Sequence, residues 1–131
     1  MTRVIELPTF EEIVELNRKV LCTGEPFAIL NENNLHALLY SIDWILRDPD
    51  AELANIAGAL LWKITKGHVF RQGNKRTAVY TTVNFLCAHG FEIDYIFTGS
   101  ESDPLYALTI AIAIGHVSEI DVGNHLVSVF S

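Results

Sequence analysis

Residues 68–77 read His-Val-Phe-Arg-Gln-Gly-Asn-Lys-Arg-Thr, and they place a titratable imidazole, a glycine and two adjacent cations in one short segment. Upstream, apolar residues recur at helical spacing over positions 53–64, and downstream residues 78–88 form a second apolar helical run. This pattern predicts a loop between two buried helices, with the backbone amides of residues 73–76 at the start of the second helix. Unpaired N–H groups and the helix dipole favour an anion at such a position. The segment is therefore a candidate phosphate-binding loop.

The side chains of this loop suit the chemistry of phosphate transfer. His68 carries an imidazole, a group that can accept a proton near pH 7, as a general base must. Gly73 permits close approach of the backbone to a phosphate, and Asn74 can cap the second helix or donate to a phosphate. Lys75 and Arg76 add positive charge, and a guanidinium can hold two phosphate oxygens at once. Cations at a helix N-terminus oppose the dipole unless an anion joins them, which favours anion binding over a solvated basic patch.

The loop resembles the signature of the Fic/Doc family, which reads His-x-Phe-x-(Asp/Glu)-(Gly/Ala)-Asn-(Gly/Lys)-Arg. Within that family, the Asn-Lys-Arg-Thr sequence at 74–77 is similar to the Doc (death-on-curing) branch. AMP-transferring Fic enzymes usually carry Gly in place of Lys75 and a second Arg in place of Val79. Residues 23–27 also resemble the N-terminal region of Doc proteins, and the resemblance extends over roughly residues 5–130.

The resemblance implies a toxin of a type II toxin-antitoxin system that acts as a phosphotransferase. Such a protein transfers the γ-phosphate of a nucleoside triphosphate, ATP, to a hydroxyl of a cytosolic protein and thereby blocks translation. The known Doc target is translation elongation factor Tu. By this resemblance His68, Asn74 and Arg76 would be catalytic, with His68 taking the proton from the attacking hydroxyl. The phosphates would be bound by Gly73, Asn74, Lys75 and Arg76.

Gln72 departs from the family pattern. Family members normally have Asp or Glu at this position, and that carboxylate holds the Mg²⁺ that bridges the nucleotide phosphates. A neutral amide oxygen is a poorer Mg²⁺ ligand, so we expect a weakened metal site. Two alternatives to a Doc-like kinase therefore remain open. One is an AMP-transferring Fic enzyme, and the other is a catalytically impaired Fic fold that acts as a binding module.

The sequence also bears on how such an activity would be restrained. Fic proteins that inhibit themselves use a Ser/Thr-x-x-x-Glu-(Gly/Asn) helix, and the nearest match here, Thr2 to Glu6, is followed by Leu7. Self-inhibition by that device is not expected. We therefore expect a separate antitoxin protein as partner, with an amphipathic segment that folds into a groove beside the active site.

Composition limits the remaining possibilities. The 131 residues fit one domain, residues 1–131, and a 50% apolar content is typical of a folded chain. A formal charge of −7 argues against direct binding of nucleic acid or of an anionic membrane surface. Cys22 and Cys87 lack the spacing of a zinc site or disulfide framework, which predicts reduced, buried thiols. With no signal peptide and an apolar stretch at Leu105–Ile114 too short to span a bilayer, we expect a cytoplasmic protein.

Helical periodicity predicts an all-α chain of six helices, and the resemblance implies the compact six-helix Fic/Doc fold. The resemblance also implies that a small β-hairpin flap can form near residues 25–33, over the active site. The ring of Phe70 is expected to anchor the loop to the core. The predicted helix boundaries rest on local signals: a capping box of Thr9 and Glu12, Asp48 with Pro49 opening the third helix, Gly90 after the fourth, Asp103 with Pro104 opening the fifth, and Ser118 before the last.

Overall fold

The structure is a computed structural model, and it describes residues 4–93 and 103–130. Within these ranges the chain forms six helices and no sheet, which confirms the predicted all-α fold. The helices are α1 (Phe10–Val20), α2 (Glu32–Leu46), α3 (Leu53–Lys66), α4 (Asn74–Ala88), α5 (Pro104–Ala113) and α6 (Glu119–Phe130). None of the described helices is both long enough and apolar enough to cross a membrane.

Side-chain caps form at the predicted starts of α1 and α5. The Thr9 hydroxyl accepts from the Glu12 N–H at 3.1 Å, and the Glu12 carboxylate accepts from the Thr9 N–H at 3.1 Å. This reciprocal pair is the predicted capping box of α1. At the start of α5, the Asp103 carboxylate accepts from two N–H groups of the first turn, and Pro104 occupies the first helical position. Both boundary predictions are confirmed.

The predicted start of the third helix is wrong. Asp48 and Pro49 lie in a turn between α2 and α3, where the Asp48 carboxylate accepts from the Asp50 N–H at 2.9 Å. The Asp48 carbonyl also accepts from the Ala51 N–H at 3.0 Å, and α3 begins only at Leu53. An aspartate before a proline can close such a turn as readily as it can cap a helix. Asp48 and Pro49 therefore mark the turn before α3 and not the start of the helix.

The core is built around α3. This helix packs most extensively against α6 and α4, and it also contacts α2 and α5. It crosses α6 where Gly58 faces Gly123, and a Cβ on Gly58 would lie 2.8 Å from the Gly123 nitrogen. The absence of side chains at this crossing lets the two backbones approach closely. Helix α3 then ends at Lys66, and the chain enters the loop before α4.

The segment before α2 does not form the hairpin that the family resemblance suggested for residues 25–33. In the described part of the chain, Ile29 instead forms an isolated antiparallel bridge with Phe70. The Leu30 N–H donates to the Val69 carbonyl at 2.7 Å, and the Arg71 N–H donates to the Ala28 carbonyl at 3.0 Å. The extended backbone of this segment is thus satisfied by the loop between α3 and α4 rather than by its own second strand.

Candidate functional site

The loop between α3 and α4 is anchored by apolar side chains and by one asparagine. Val69 and Phe70 are buried, with 0% and 1% of their surface exposed, so Phe70 anchors the loop as predicted. The Asn74 side chain closes the loop, because its Oδ1 accepts from the Phe70 N–H at 3.0 Å and its Nδ2 donates to the Phe70 carbonyl at 2.7 Å. The loop therefore folds back onto the first turn of α4.

The Asn74 side chain therefore stabilises the shape of the loop through these hydrogen bonds. The residue that precedes α4 in the cap position is Gly73, with a left-handed φ of 77°, and not Asn74. Within the described residues no side chain caps α4. The first-turn N–H groups of Asn74, Lys75 and Arg76 consequently lack an intrahelical acceptor and remain able to receive an anion.

A buried asparagine on α1 supports the same loop. Asn17 has 0% of its surface exposed, and its Nδ2 donates to the Gln72 carbonyl at 2.9 Å and to the Thr77 hydroxyl at 3.0 Å. A Cβ on Gly73 would lie 3.2 Å from this Nδ2, so glycine suits the close approach as well as the positive φ. Sequence reasoning missed Asn17. The available signal was a polar residue one helical turn after Ile13, on the apolar stripe of α1.

His68 is exposed and is held in an unusual backbone conformation. Its φ of 48° is positive, a region in which His is found more often than most other non-glycine residues. The preceding peptide is fixed, because the Asn34 Nδ2 donates to the Gly67 carbonyl at 2.8 Å. Among the residues that the structure describes, the imidazole has no hydrogen-bond or ion-pair partner. It is therefore available to a substrate.

The cations of the loop differ in what they contact. Lys75 is exposed and has no side-chain partner in the described parts of the chain, and the same holds for Arg71. Arg76 is instead engaged, because its Nη2 donates to both carboxylate oxygens of Glu25 at 2.8 Å each. Its Nη1 donates to the Val20 carbonyl and to the Cys22 Sγ. Sequence reasoning predicted Arg76 as a phosphate ligand but did not identify its partner.

Glu25 is held in its ionised form by these neighbours. The Cys22 N–H donates to its carboxylate at 2.6 Å, and this bond is the largest cause that lowers the pKa of Glu25, followed by the bond from Arg76. Cys22 and Cys87 are free thiols, as predicted, but both are exposed rather than buried. The Cys22 Sγ accepts a hydrogen bond from the Arg76 Nη1 beside the loop.

The side chains around the loop fit a divalent cation poorly. Gln72 is exposed and offers a neutral amide oxygen, whereas Mg²⁺ prefers anionic oxygens. Over residues 4–93 and 103–130, no group of three or more His, Cys, Asp or Glu side chains is arranged to hold a metal ion. A cation at this loop would depend chiefly on oxygens brought by a nucleotide.

The short, well-anchored loop and the first turn of α4 thus combine an exposed imidazole with a lysine and with backbone amides that have no partner in the described ranges. They can accept a proton and bind an anion at neighbouring positions. The family model of the Fic/DOC family matches residues 9–86, which make up more than half of the chain. The matched residues extend from the start of α1 to near the end of α4. No curated protein matches the chain.

Proposed function

Since this chain belongs to the Fic/DOC family, whose members are typically transferases, we propose that it transfers the γ-phosphate of ATP to a hydroxyl group of a protein. The observation that carries the proposal is the exposed imidazole of His68, which has no partner among the described residues, beside the N-terminus of α4, which no described side chain caps. The loop sequence favours the Doc branch, because it has Lys75 where Fic enzymes have Gly and Val79 where they have a second Arg.

In this reaction His68 accepts the proton of a serine or threonine hydroxyl. The hydroxyl oxygen forms a bond to the γ-phosphorus, and the bond from that phosphorus to the β–γ bridging oxygen breaks, so ADP leaves with the electron pair. The first-turn N–H groups of α4 and the Lys75 ammonium hold the phosphate oxygens and offset the charge that develops on them. Such positioning and electrostatic stabilisation account for most of the catalysis in phosphoryl transfer.

The target and the cellular role follow from the family resemblance alone. We propose elongation factor Tu as the phosphorylated protein, blocked translation as the consequence, and the cytoplasm as the location. A divalent cation would accompany the ATP on the nucleotide's own oxygens, since Gln72 supplies no anionic ligand.

An antitoxin is the proposed partner, and a groove between α1 and α4 supports it. The groove has a volume of about 470 Å³, and its α1 wall carries three acidic side chains and one cation, Lys19, beside apolar side chains; the acidic residues are Glu11, Glu12 and Glu15. A cationic amphipathic segment would complement the acidic and apolar side chains of this groove.

Gln72 favours a second candidate function, a binding module with little or no transferase activity. Its exposed side chain offers no negative charge at the position where the family normally places a metal ligand. Without a well-held metal ion to offset phosphate charge, transfer would slow or stop, while the anchored loop would still bind anions. AMP transfer is the remaining alternative, against which Lys75 and Val79 both argue.

The decisive experiment uses ATP labelled separately at the α and γ positions, with Mg²⁺ and purified elongation factor Tu or a cell extract. We expect γ-label on a protein band and none from α-label. Transfer of α-label would place the chain among AMP-transferring enzymes.

His68→Ala is the matched control for this assay. We expect it to abolish transfer and to change the free energy of unfolding by no more than about 1 kcal/mol, because the side chain is exposed. Two equally inert proteins would favour the binding module, and an active His68→Ala protein would remove His68 from the mechanism. A large drop in the circular-dichroism melting temperature would show that His68 is structural.

A further inference from the structure

Four of the five N–H groups of the Arg76 guanidinium are already engaged by acceptors from the protein itself. A guanidinium has five N–H groups, and four of them are on the two Nη atoms. In Arg76 those four point to the two Glu25 oxygens, the Val20 carbonyl and the Cys22 Sγ. The side chains of Arg76 and Glu25 are each only 25% exposed. A phosphate would find one free donor, on Nε, and a carboxylate that neutralises the charge.

Glu25 is itself fixed by a tight turn. Its N–H donates to the Cys22 carbonyl at 3.0 Å, and its carboxylate accepts from the Cys22 N–H at 2.6 Å. The Val20 carbonyl lies at the C-terminus of α1, where the helix leaves its last carbonyls without intrahelical donors. Arg76 thus joins the end of α1 and the following turn to the first turn of α4.

The same stretch of chain is bound to the loop a few residues later. Residues 28–30 form their backbone hydrogen bonds with residues 69–71, through the Leu30 and Arg71 amides. The chain from Glu25 to Leu30 is therefore held at two places. The ion pair of Glu25 and Arg76 holds its beginning to α4, and the bridge holds its end to the loop.

We propose that Arg76 is a positioning residue: with Glu25 it forms a staple that holds residues 28–30 against the His68 loop, rather than binding nucleotide phosphate. The relevance of this staple to phosphate transfer rests on the proposed function. A phosphate ligand role would require the anion to displace a carboxylate that accepts two charge-assisted hydrogen bonds. The phosphates are left to the first-turn amides of α4 and to Lys75, whose side chain contacts no partner in residues 4–93 and 103–130.

The first test measures amide hydrogen exchange by NMR in the full chain. We expect Glu25→Gln and Arg76→Gln each to speed exchange of the Leu30 and Arg71 amides by about ten- to a hundredfold, the loss that follows from one or two charge-assisted bonds. The double variant should exchange no faster than either single variant, because both changes break one staple. Lys75→Gln is the matched control, and it should leave both amides unchanged. Unchanged exchange in the two staple variants, with folded circular-dichroism spectra, would overturn the proposal.

The second test measures ATP affinity by calorimetry, and it does not require transfer activity. A staple predicts that Glu25→Gln and Arg76→Gln change the affinity in the same direction and to a similar extent. If Arg76 were a phosphate ligand masked by Glu25, Glu25→Gln would tighten ATP binding and Arg76→Gln would weaken it, and this opposite pair would overturn the proposal. A wild-type protein that fails to transfer phosphate, yet shows the expected exchange and affinity pattern, would contradict the proposed function and leave the staple intact.

Discussion

His68 and Gln72 show how single residues of the loop balance exposure against restraint. Both side chains are exposed, yet the backbone around them is tightly held, because the peptide before His68 accepts from Asn34 and the Gln72 carbonyl accepts from Asn17. A catalytic side chain benefits from this combination, since a fixed backbone limits the positions that a reactive group can reach. The positive φ of His68 is a further sign that the surrounding structure dictates its conformation.

At Gln72 we predict a gain of function. Gln72→Asp restores an anionic oxygen at the exposed position before Gly73, so it should raise Mg²⁺-dependent transfer of γ-label. The gain should shrink as Mg²⁺ approaches saturation for both proteins. Gln72→Asn is the matched neutral control and should show no gain. Equal activity and equal Mg²⁺ dependence of all three proteins would mean that this side chain does not face the metal.

At the scale of a helix, the Asn17 side chain connects α1 to the loop that precedes α4. We predict that Asn17→Ala lowers the free energy of unfolding by about 1–2 kcal/mol, because the partly buried Gln72 carbonyl and the buried Thr77 hydroxyl lose their donor. The low end of the usual range applies, since the Asn17 Oδ1 has no partner in the described structure and its removal offsets part of the loss. Urea denaturation measures the change. Asn84→Ala, at an exposed position on α4, should cost less than about 0.5 kcal/mol, and a similar cost at both sites would contradict the tie.

The crossing of α3 and α6 allows a prediction in which two effects have opposite signs. Helix propensity alone predicts that Gly58→Ala stabilises α3 by about 1 kcal/mol. Packing predicts the reverse, because the new Cβ would lie 2.8 Å from the Gly123 backbone nitrogen, and such overpacking costs about 1–3 kcal/mol. We expect packing to dominate and the melting temperature to fall.

A propensity control makes this result interpretable. Ala107→Gly changes an exposed position of α5 and should lower stability by the propensity difference alone, about 1 kcal/mol. A rise in stability for Gly58→Ala, together with the expected loss for Ala107→Gly, would show that the two helices can separate slightly without cost.

At the scale of the whole molecule, the ion pair of Glu25 and Arg76 links stability to pH. The pKa of Glu25 is lowered in the folded protein, so the carboxylate contributes stability that is present above its ordinary value of 4.5 and is lost as the pH falls through the lower folded value. Urea unfolding of the wild type should therefore weaken below about pH 4.5 more steeply than that of Glu25→Gln. Parallel pH profiles for the two proteins would show that Glu25 does not contribute to this dependence.

The distribution of charge over the molecule fits the same picture. A chain with a formal charge of −7 exposes Lys75 and Arg71 at one loop, while three acidic side chains and one lysine line the groove between α1 and α4. Small anions and cationic partner segments would therefore be attracted to different parts of the surface.

The sequence by itself determined the features that depend on residues close together in the chain. The Thr9 and Glu12 capping box, the Asp103 cap and the loop that leads from α3 into the first turn of α4 follow from hydrogen bonds and periodicity that span only a few positions. The start of α3 shows the limit of such signals. The turn and the helix cap available to Asp48 have the same local chemistry, and only the folded structure shows which one forms.

Tertiary structure alone decided the partners that come from distant parts of the chain. The Arg76 guanidinium reaches Glu25, the Asn17 amide reaches the Gln72 carbonyl, and Ile29 pairs with Phe70 instead of closing a hairpin. Each choice depends on which elements pack together and on which buried polar groups still need a partner, and neither is encoded within one helix turn. The loop motif could therefore be recognised from the sequence, whereas the commitment of Arg76 to Glu25 could be recognised only once α1 and α4 had been brought together.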